Sequence, residues 1–236
     1  MPVSSFALRL LALLTMLVDH AGLALFPQVG AFRCIGRLSF PLYCFLLVQG
    51  CRHTRDIRAY ARRLLLLACL SEIPFDLLIC GRVACGVEQN VLFSLLLGLM
   101  AIYACDALAG SPKLAVLAVA GVMLAAMLAR VSYGWLGVAL CAGLYKAQGS
   151  RAKQGLCVVL LTGVYVLSLL LSGVNRGWAL ISLWAMLAAV PVLLYSGKRG
   201  PRTPLLTALF YASYPLHLIA LVIVRAMRIV PPYLWS

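Results

Sequence analysis

Long apolar runs separated by short polar breaks make up almost the whole chain. A helix that crosses a bilayer needs about 20 mainly apolar residues. The runs at 6–27, 36–51, 62–81, 90–108, 113–131, 133–147, 153–172, 177–196 and 204–225 therefore predict nine spans, within a range of eight to ten. The second and sixth are short, as tilted, broken or re-entrant helices are. Breaks fall at Pro27 and at the segments AGSPK, AQGSRAK, LSGVNRG and SGKRGPRTP, the usual Gly/Pro/Ser punctuation. Pro41, Pro74, Pro191 and Pro215 lie inside runs and predict kinks, because proline removes a backbone donor. No internal repeat or low-complexity tract is visible. The expected fold is all-α: a polytopic transmembrane helical bundle forming a single domain over residues 1–236.

Composition strengthens this picture. The chain is 64% hydrophobic and 11% charged, with a mean hydropathy of +1.02, far from the balance of a soluble domain. Lipid must cover the apolar surface that no single core can bury. The net charge of +14 does not point to nucleic acid, because the basic residues sit in short loops and form no hydrophilic arm. In such loops Lys and Arg set orientation. Arg9, the five arginines of CRHTRDIRAYARR, Lys113, Lys146, Arg151, Lys153, Lys198, Arg199 and Arg202 fall on one side. Arg33, Arg37, Arg82, Arg130, Arg176, Arg225 and Arg228 fall on the other. The balance of thirteen to seven places the N-terminus and residues 52–63 in the cytoplasm. The first run lacks a small-residue cleavage site and contains Asp-His, so it is expected to remain as a helix rather than a signal peptide.

Nine cysteines are present, but Cys44, Cys69, Cys105, Cys141 and Cys157 lie singly inside apolar runs and behave as small hydrophobes. No CxxC pair or Cys/His cluster with metal-ligand spacing appears, so no metal is expected. Cys80 and Cys85 flank one short loop and are placed to pair if that loop faces an oxidising compartment.

Against this background the ionisable residues inside spans stand out. With a cytoplasmic N-terminus, Asp19 and His20 lie in the outer half of the first span, Glu72 near mid-membrane and Asp76 one turn further out. Gln89 and Asn90 fall at the outer edge of the fourth span, Arg37 at the start of the second, and Tyr214 and His217 in the outer half of the last. A charge at a helix centre costs about 2.5–3.5 kcal/mol on insertion scales, and such residues commonly face a bundle interior or a wet cavity. Asp106, near an inner end, is the exception. A buried Asp19–Arg37 pair that merely locks two helices is the plainer alternative. Glu72 and Asp76 are four apart and share a helix face. Asp19 and His20 diverge by about 100°, so the carboxylate that orients His20 is open to come from another helix.

A histidine with a pKa near neutrality can take a proton from a hydroxyl or amine, and a carboxylate can stabilise the resulting imidazolium. The basic inner loop suits either a topology signal or the phosphates of a nucleotide-like donor. There is no P-loop, Rossmann glycine pattern or GxSxG motif.

The segments MLVDHAG, IGRLSFPLYCFLLVQGCRHTRDIRAYARRLL, SEIPFDL, QNVLFSLLLGL and FYASYPLHLIAL resemble the TraX family, named for a conjugation-associated protein linked to N-terminal acetylation of pilin. The resemblance covers most of residues 10–108 and returns at 208–221. That family in turn resembles transmembrane acyltransferases of the heparan-glucosaminide N-acetyltransferase-like and family 3 types. The resemblance implies a multi-pass protein of the bacterial cytoplasmic membrane that moves an acetyl or similar group from cytosolic acetyl-CoA to an extracytoplasmic acceptor. That acceptor is a pilin-like peptide amine, a glycan or another envelope molecule. It implies His20 as general base or acyl relay, with Asp19 orienting it or balancing its charge. Arg37, Glu72, Asp76, Gln89, Asn90 and Tyr214 would line the acceptor side, His217 would close the site, and Arg52, His53, Arg62 and Arg63 would hold the CoA phosphates. The competing readings are a proton-coupled transporter or flippase using the same buried groups, and a non-catalytic membrane scaffold. Oligomeric state is left open.

Overall fold

The computed structural model describes residues 2–201 and 203–227; Arg202 and Arg228, both used in the charge balance, lie outside them. Among the described residues there are no β-strands, only two isolated bridges, Val3–Tyr195 and Gln89–Val131. The chain forms α1 (Ser5–Leu25), α2 (Gly30–Gly36), α3 (Ser39–Cys51), α4 (Ile57–Cys80), α5 (Val91–Ala107) and α6 (Pro112–Leu128). It continues through α7 (Gly134–Lys146), α8 (Arg151–Leu171), α9 (Arg176–Ile181), a 3₁₀ helix (Ser182–Ala188), α10 (Ala189–Leu193) and α11 (Pro204–Ala226). With α2–α3 and α9–α10 each read as one broken element, these make nine helical passes among the described residues. Five of them are long and apolar enough to cross a membrane by length and composition, and α5 and α6 are shorter apolar helices. Leu66, Leu70, Val116, Leu117, Leu128 and Leu171 are exposed on the outside of the bundle, where water would penalise them and lipid would not. The protein is a membrane protein.

Helix starts follow local chemistry. Ser4, Asp56, Asn90, Ser150, Asn175 and Thr203 each accept a hydrogen bond from an amide of the turn they precede, satisfying donors that would otherwise be orphaned. Pro74 and Pro215 lie inside α4 and α11, as expected. Pro41 does not kink its helix. It is the third residue of α3, in the first turn, where an amide needs no intrahelical partner. The second pass also begins earlier than expected, at Gly30, and breaks at Arg37–Leu38. The 3₁₀ stretch was not foreseen either. Pro191 offers no amide to the carbonyl four residues back and its ring crowds that carbonyl, and the preceding turns are wound tighter.

Two close approaches set the packing. A Cβ on Gly98 of α5 would lie 2.5 Å from Cys141 Sγ of α7, and a Cβ on Gly36 of α2 would collide with the Asp19 carboxylate of α1. Small residues at such crossings let membrane helices gain dispersion contacts in place of a hydrophobic driving force. The two ends of the bundle are closed differently. At the N-terminal end, the Val3 amide donates to Leu194 O (2.9 Å), and Ser5 Oγ lies 2.7 Å from the Tyr195 hydroxyl. At the opposite end, Gln89 exchanges backbone hydrogen bonds with Arg130 and Ser132, and a disulfide joins Cys80 to Cys85.

Candidate functional site

The far half of the bundle encloses a chamber of about 100 Å³ between α1, α2, α3, α4, α5 and α11. Its polar wall comes from Asp19, His20, Arg33, Arg37, Glu88, Ser132, Tyr133 and Tyr214. His20 reaches it from α1, but its hydrogen bond goes to α11: His20 Nδ1 lies 2.6 Å from His217 Nε2, with the ring planes 4° apart. His217 Nδ1 lies 2.7 Å from the Ser213 carbonyl. A carbonyl only accepts, so His217 Nδ1 carries a proton and, in the neutral ring, its Nε2 is an acceptor. His20 Nδ1–H therefore donates to His217, and His20 Nε2 presents a lone pair. Tyr214 meets both rings edge-on, with centroids 6.3 Å and 5.5 Å away. The orienting partner of His20 is thus a second histidine. No carboxylate fills that place among the described residues.

Asp19 pairs with Arg33 rather than Arg37: Arg33 Nη1 lies 2.6 Å from Asp19 Oδ2. Arg33 and Arg37 are one turn apart, and Trp178 of α9 lies beneath both guanidiniums, at 5.0 Å and 4.9 Å from its centroid. Arg37 donates through Nη1 to the Tyr133 hydroxyl (3.4 Å). Tyr133 holds a left-handed backbone (φ 63°) and stacks on Phe40 at 3.9 Å.

Four expected wall residues lie beside the chamber rather than in its lining. Glu72 Oε2 accepts from the Asn90 amide (3.1 Å) and Asn90 Nδ2 (2.5 Å), while Asn90 also caps α5. Asp76 accepts from the Cys85 amide at 2.9 Å, and Gln89 pairs through its backbone. These groups tie α4 to α5 and to the disulfide loop. Glu72 Oε1 is left buried without a hydrogen-bond partner, so that tie is only partly satisfied.

A second chamber of about 220 Å³ occupies the N-terminal half, lined by Arg9, Tyr60, Thr207, Tyr211 and apolar residues including Leu47, Leu64 and Leu95. Met16, Tyr43, Val91 and Tyr214 border both chambers. The expected phosphate-binding residues Arg52, His53, Arg62 and Arg63 are all exposed around the α3–α4 connection. None lines this chamber. Arg63 lies 5.9 Å over the ring of Tyr60, which does, and the basic residue in the wall itself is Arg9. Among the described residues no group of three or more His, Cys, Asp or Glu is placed to hold a metal.

The TraX protein family profile matches residues 4–225, which takes in both chambers and all of the helices but the last residue of α11. The chain belongs to the TraX family. Among curated proteins, this TraX-family chain is 36% identical over 111 residues to "Probable fimbrial assembly protein FimC, serogroup H1" of Dichelobacter nodosus, covering 42% of the chain and 45% of that protein. It is 45% identical over 38 residues to an uncharacterised protein of Rickettsia prowazekii (strain Madrid E), covering 16% of the chain and 15% of that protein. The chain thus spans less than half the length of the curated relatives it matches. No solved structure matches it.

Arg9, Arg33, Glu88, Tyr133 and Trp178 were not among the expected site residues, although Arg9 and Arg33 entered the charge balance. Arg33 alone left a usable signal, lying four residues before Arg37 and hence on the same helical face.

Proposed function

We propose that this TraX-family protein is a membrane acyltransferase that passes an acetyl group from acetyl-CoA to an amine or hydroxyl acceptor on the opposite side of the membrane. The observation that carries the reading is the pair of chambers with a common wall. One has a basic residue at the N-terminal end of the bundle, and the other has the free nitrogen of a histidine pair at the far end. From Arg9 to His20 is eleven residues of α1, about 16 Å at 1.5 Å per residue. An extended phosphopantetheine arm is suited to such a path, with its phosphates near Arg9, Arg63 and the arginines of the α3–α4 connection. The charge balance favours a cytoplasmic N-terminal end, and the Cys80–Cys85 bond suits an oxidising far side. The bacterial cytoplasmic membrane satisfies both.

In the transfer, the acceptor nitrogen or oxygen attacks the thioester carbonyl and the carbon–sulfur bond breaks. His20 Nε2 takes the acceptor proton, and the imidazolium is stabilised through its bond to His217 before protonating the departing thiolate. The far chamber, about 100 Å³, favours a short acyl group. A fimbrial assembly protein among the relatives supports a pilus subunit as one acceptor. The transporter reading is weaker because no carboxylate or histidine among the described residues lines the second chamber, so a proton relay would stop at Tyr214.

The test is to incubate membranes containing the protein with radiolabelled acetyl-CoA. Release of labelled acetate, or labelling of an envelope component, is expected with wild type and lost in His20→Ala. Equal turnover by both proteins, or none by wild type, removes the reading.

A further inference from the structure

Arg37 is 8% exposed, borders the far chamber, and has Nε and Nη2 both buried without a hydrogen-bond partner. Its Nη1 is committed to Tyr133. Nε and Nη2 form one edge of the guanidinium, the fork that takes the two oxygens of a planar oxyanion. Other groups around the chamber do not occupy it. Asp19 is committed through Oδ2 to Arg33, the one ion pair found among the described residues, and its Oδ1 makes no hydrogen bond to Arg37 or any other group. Glu88 is exposed at the rim and accepts from Ser132 Oγ at 2.5 Å. His20 and His217 bond each other, and Tyr133 and Tyr214 are neutral hydroxyls. The buried part of the wall therefore holds two guanidiniums against one carboxylate. A buried cation whose fork makes no hydrogen bond is costly, and a charge that a helix carries there is commonly part of a binding site.

The geometry points to an acceptor that carries a singly charged oxyanion, a carboxylate or a phosphodiester, held by the Nε–Nη2 edge of Arg37 while its amine or hydroxyl faces His20. A single negative charge balances the excess guanidinium. The Trp178 ring, its centroid 4.9 Å from the Arg37 guanidinium carbon, packs against the same group. The inference borrows from the proposed function only the placement of the acceptor in this chamber, and the oxyanion site stands or falls without any acyl transfer.

The experiment measures binding to purified full-length protein without acetyl-CoA, by the shift in thermal stability over a ligand titration at constant ionic strength. Two matched pairs are the probes: alanyl-glutamate amide with alanyl-glutamine amide, and glycerophosphoethanolamine with ethanolamine. At least tenfold tighter binding of an oxyanion-bearing member than of its partner without the oxyanion is expected, and the pair that shows it identifies a peptide carboxylate or a headgroup phosphodiester as the source. Arg37→Lys keeps the charge but lacks the fork and is expected to erase most of the difference. Equal binding within both pairs, no binding by either oxyanion-bearing probe, or an undiminished preference in folded Arg37→Lys overturns the inference. Because the wild-type comparison stands alone, poor folding of the variant does not protect it. Acetyl-CoA turnover by wild type and His20→Ala, measured on the same preparations, separates failure of this site from failure of the acyltransferase reading.

Discussion

Removing His217 leaves His20 Nδ1–H without its acceptor and lets the ring turn its lone pair away from the chamber. A hydrogen bond to a group that becomes charged contributes about 1.5–3 kcal/mol. His217→Ala is therefore expected to lower kcat for acetyl-CoA turnover by roughly tenfold to hundredfold. His20→Ala, which removes the base itself, should cost about 10²–10⁴-fold. His217→Gln supplies a carbonyl acceptor and should recover part of the loss. A His217→Ala enzyme as active as wild type would show that the histidine pair only packs. Asp19, His20, Tyr214 and His217 were legible as a group because polar side chains inside apolar runs have no other evident reason to be there, and Arg37, at the entrance of its run, was read with them as a candidate partner of Asp19. Arg9, Arg33, Glu88 and Tyr133 sit at run ends, where polar residues are routine, so the same logic passed over them. Glu72, Asp76 and Asn90 met the criterion and still lie outside the chamber lining. Burial identifies a constrained polar group, and only coordinates distinguish a cavity wall from a helix-to-helix tie.

Among the elements, the α1–α2 crossing is the contact on which the site depends. Gly36 presses on Asp19 so closely that an added methyl must move one helix, and overpacking of this kind costs about 1–3 kcal/mol. Gly36→Ala should lower the melting temperature and the activity together. Gly30→Ala, where a Cβ meets nothing within 4 Å, should leave both unchanged, and a thermal melt of the two variants decides it. The disulfide closes a five-residue separation, for which chain-entropy reasoning gives a stabilisation of about 2 kcal/mol. Cys80→Ser should lose a comparable amount and leave Cys85 open to maleimide, whereas the wild-type pair should react only after reduction. The number of helical passes followed from hydrophobic runs alone, because each run is long compared with its break. The bend at Arg37–Leu38 and the 3₁₀ turns before Pro191 did not, since both depend on what packs against them. Pro41 shows the converse: its effect depends on its position within the helix, and the start of α3 lies later than hydropathy suggested.

At the scale of the whole molecule, the two chambers meet at Tyr43 and Tyr214, and the proposed transfer has donor and acceptor approach from opposite ends. Leu95→Trp, which fills the N-terminal chamber, should raise KM for acetyl-CoA several-fold while the histidine pair is undisturbed. An unchanged KM in a folded variant would place the donor elsewhere. The most direct measurement uses proteoliposomes with uniformly oriented protein and radiolabelled acetyl-CoA supplied only on the side of the N-terminus. The account predicts that label reaches an amine acceptor sealed on the opposite side, that none does with His20→Ala, and that acetyl-CoA supplied on the acceptor side is not used. Transfer only when donor and acceptor share a compartment would contradict it.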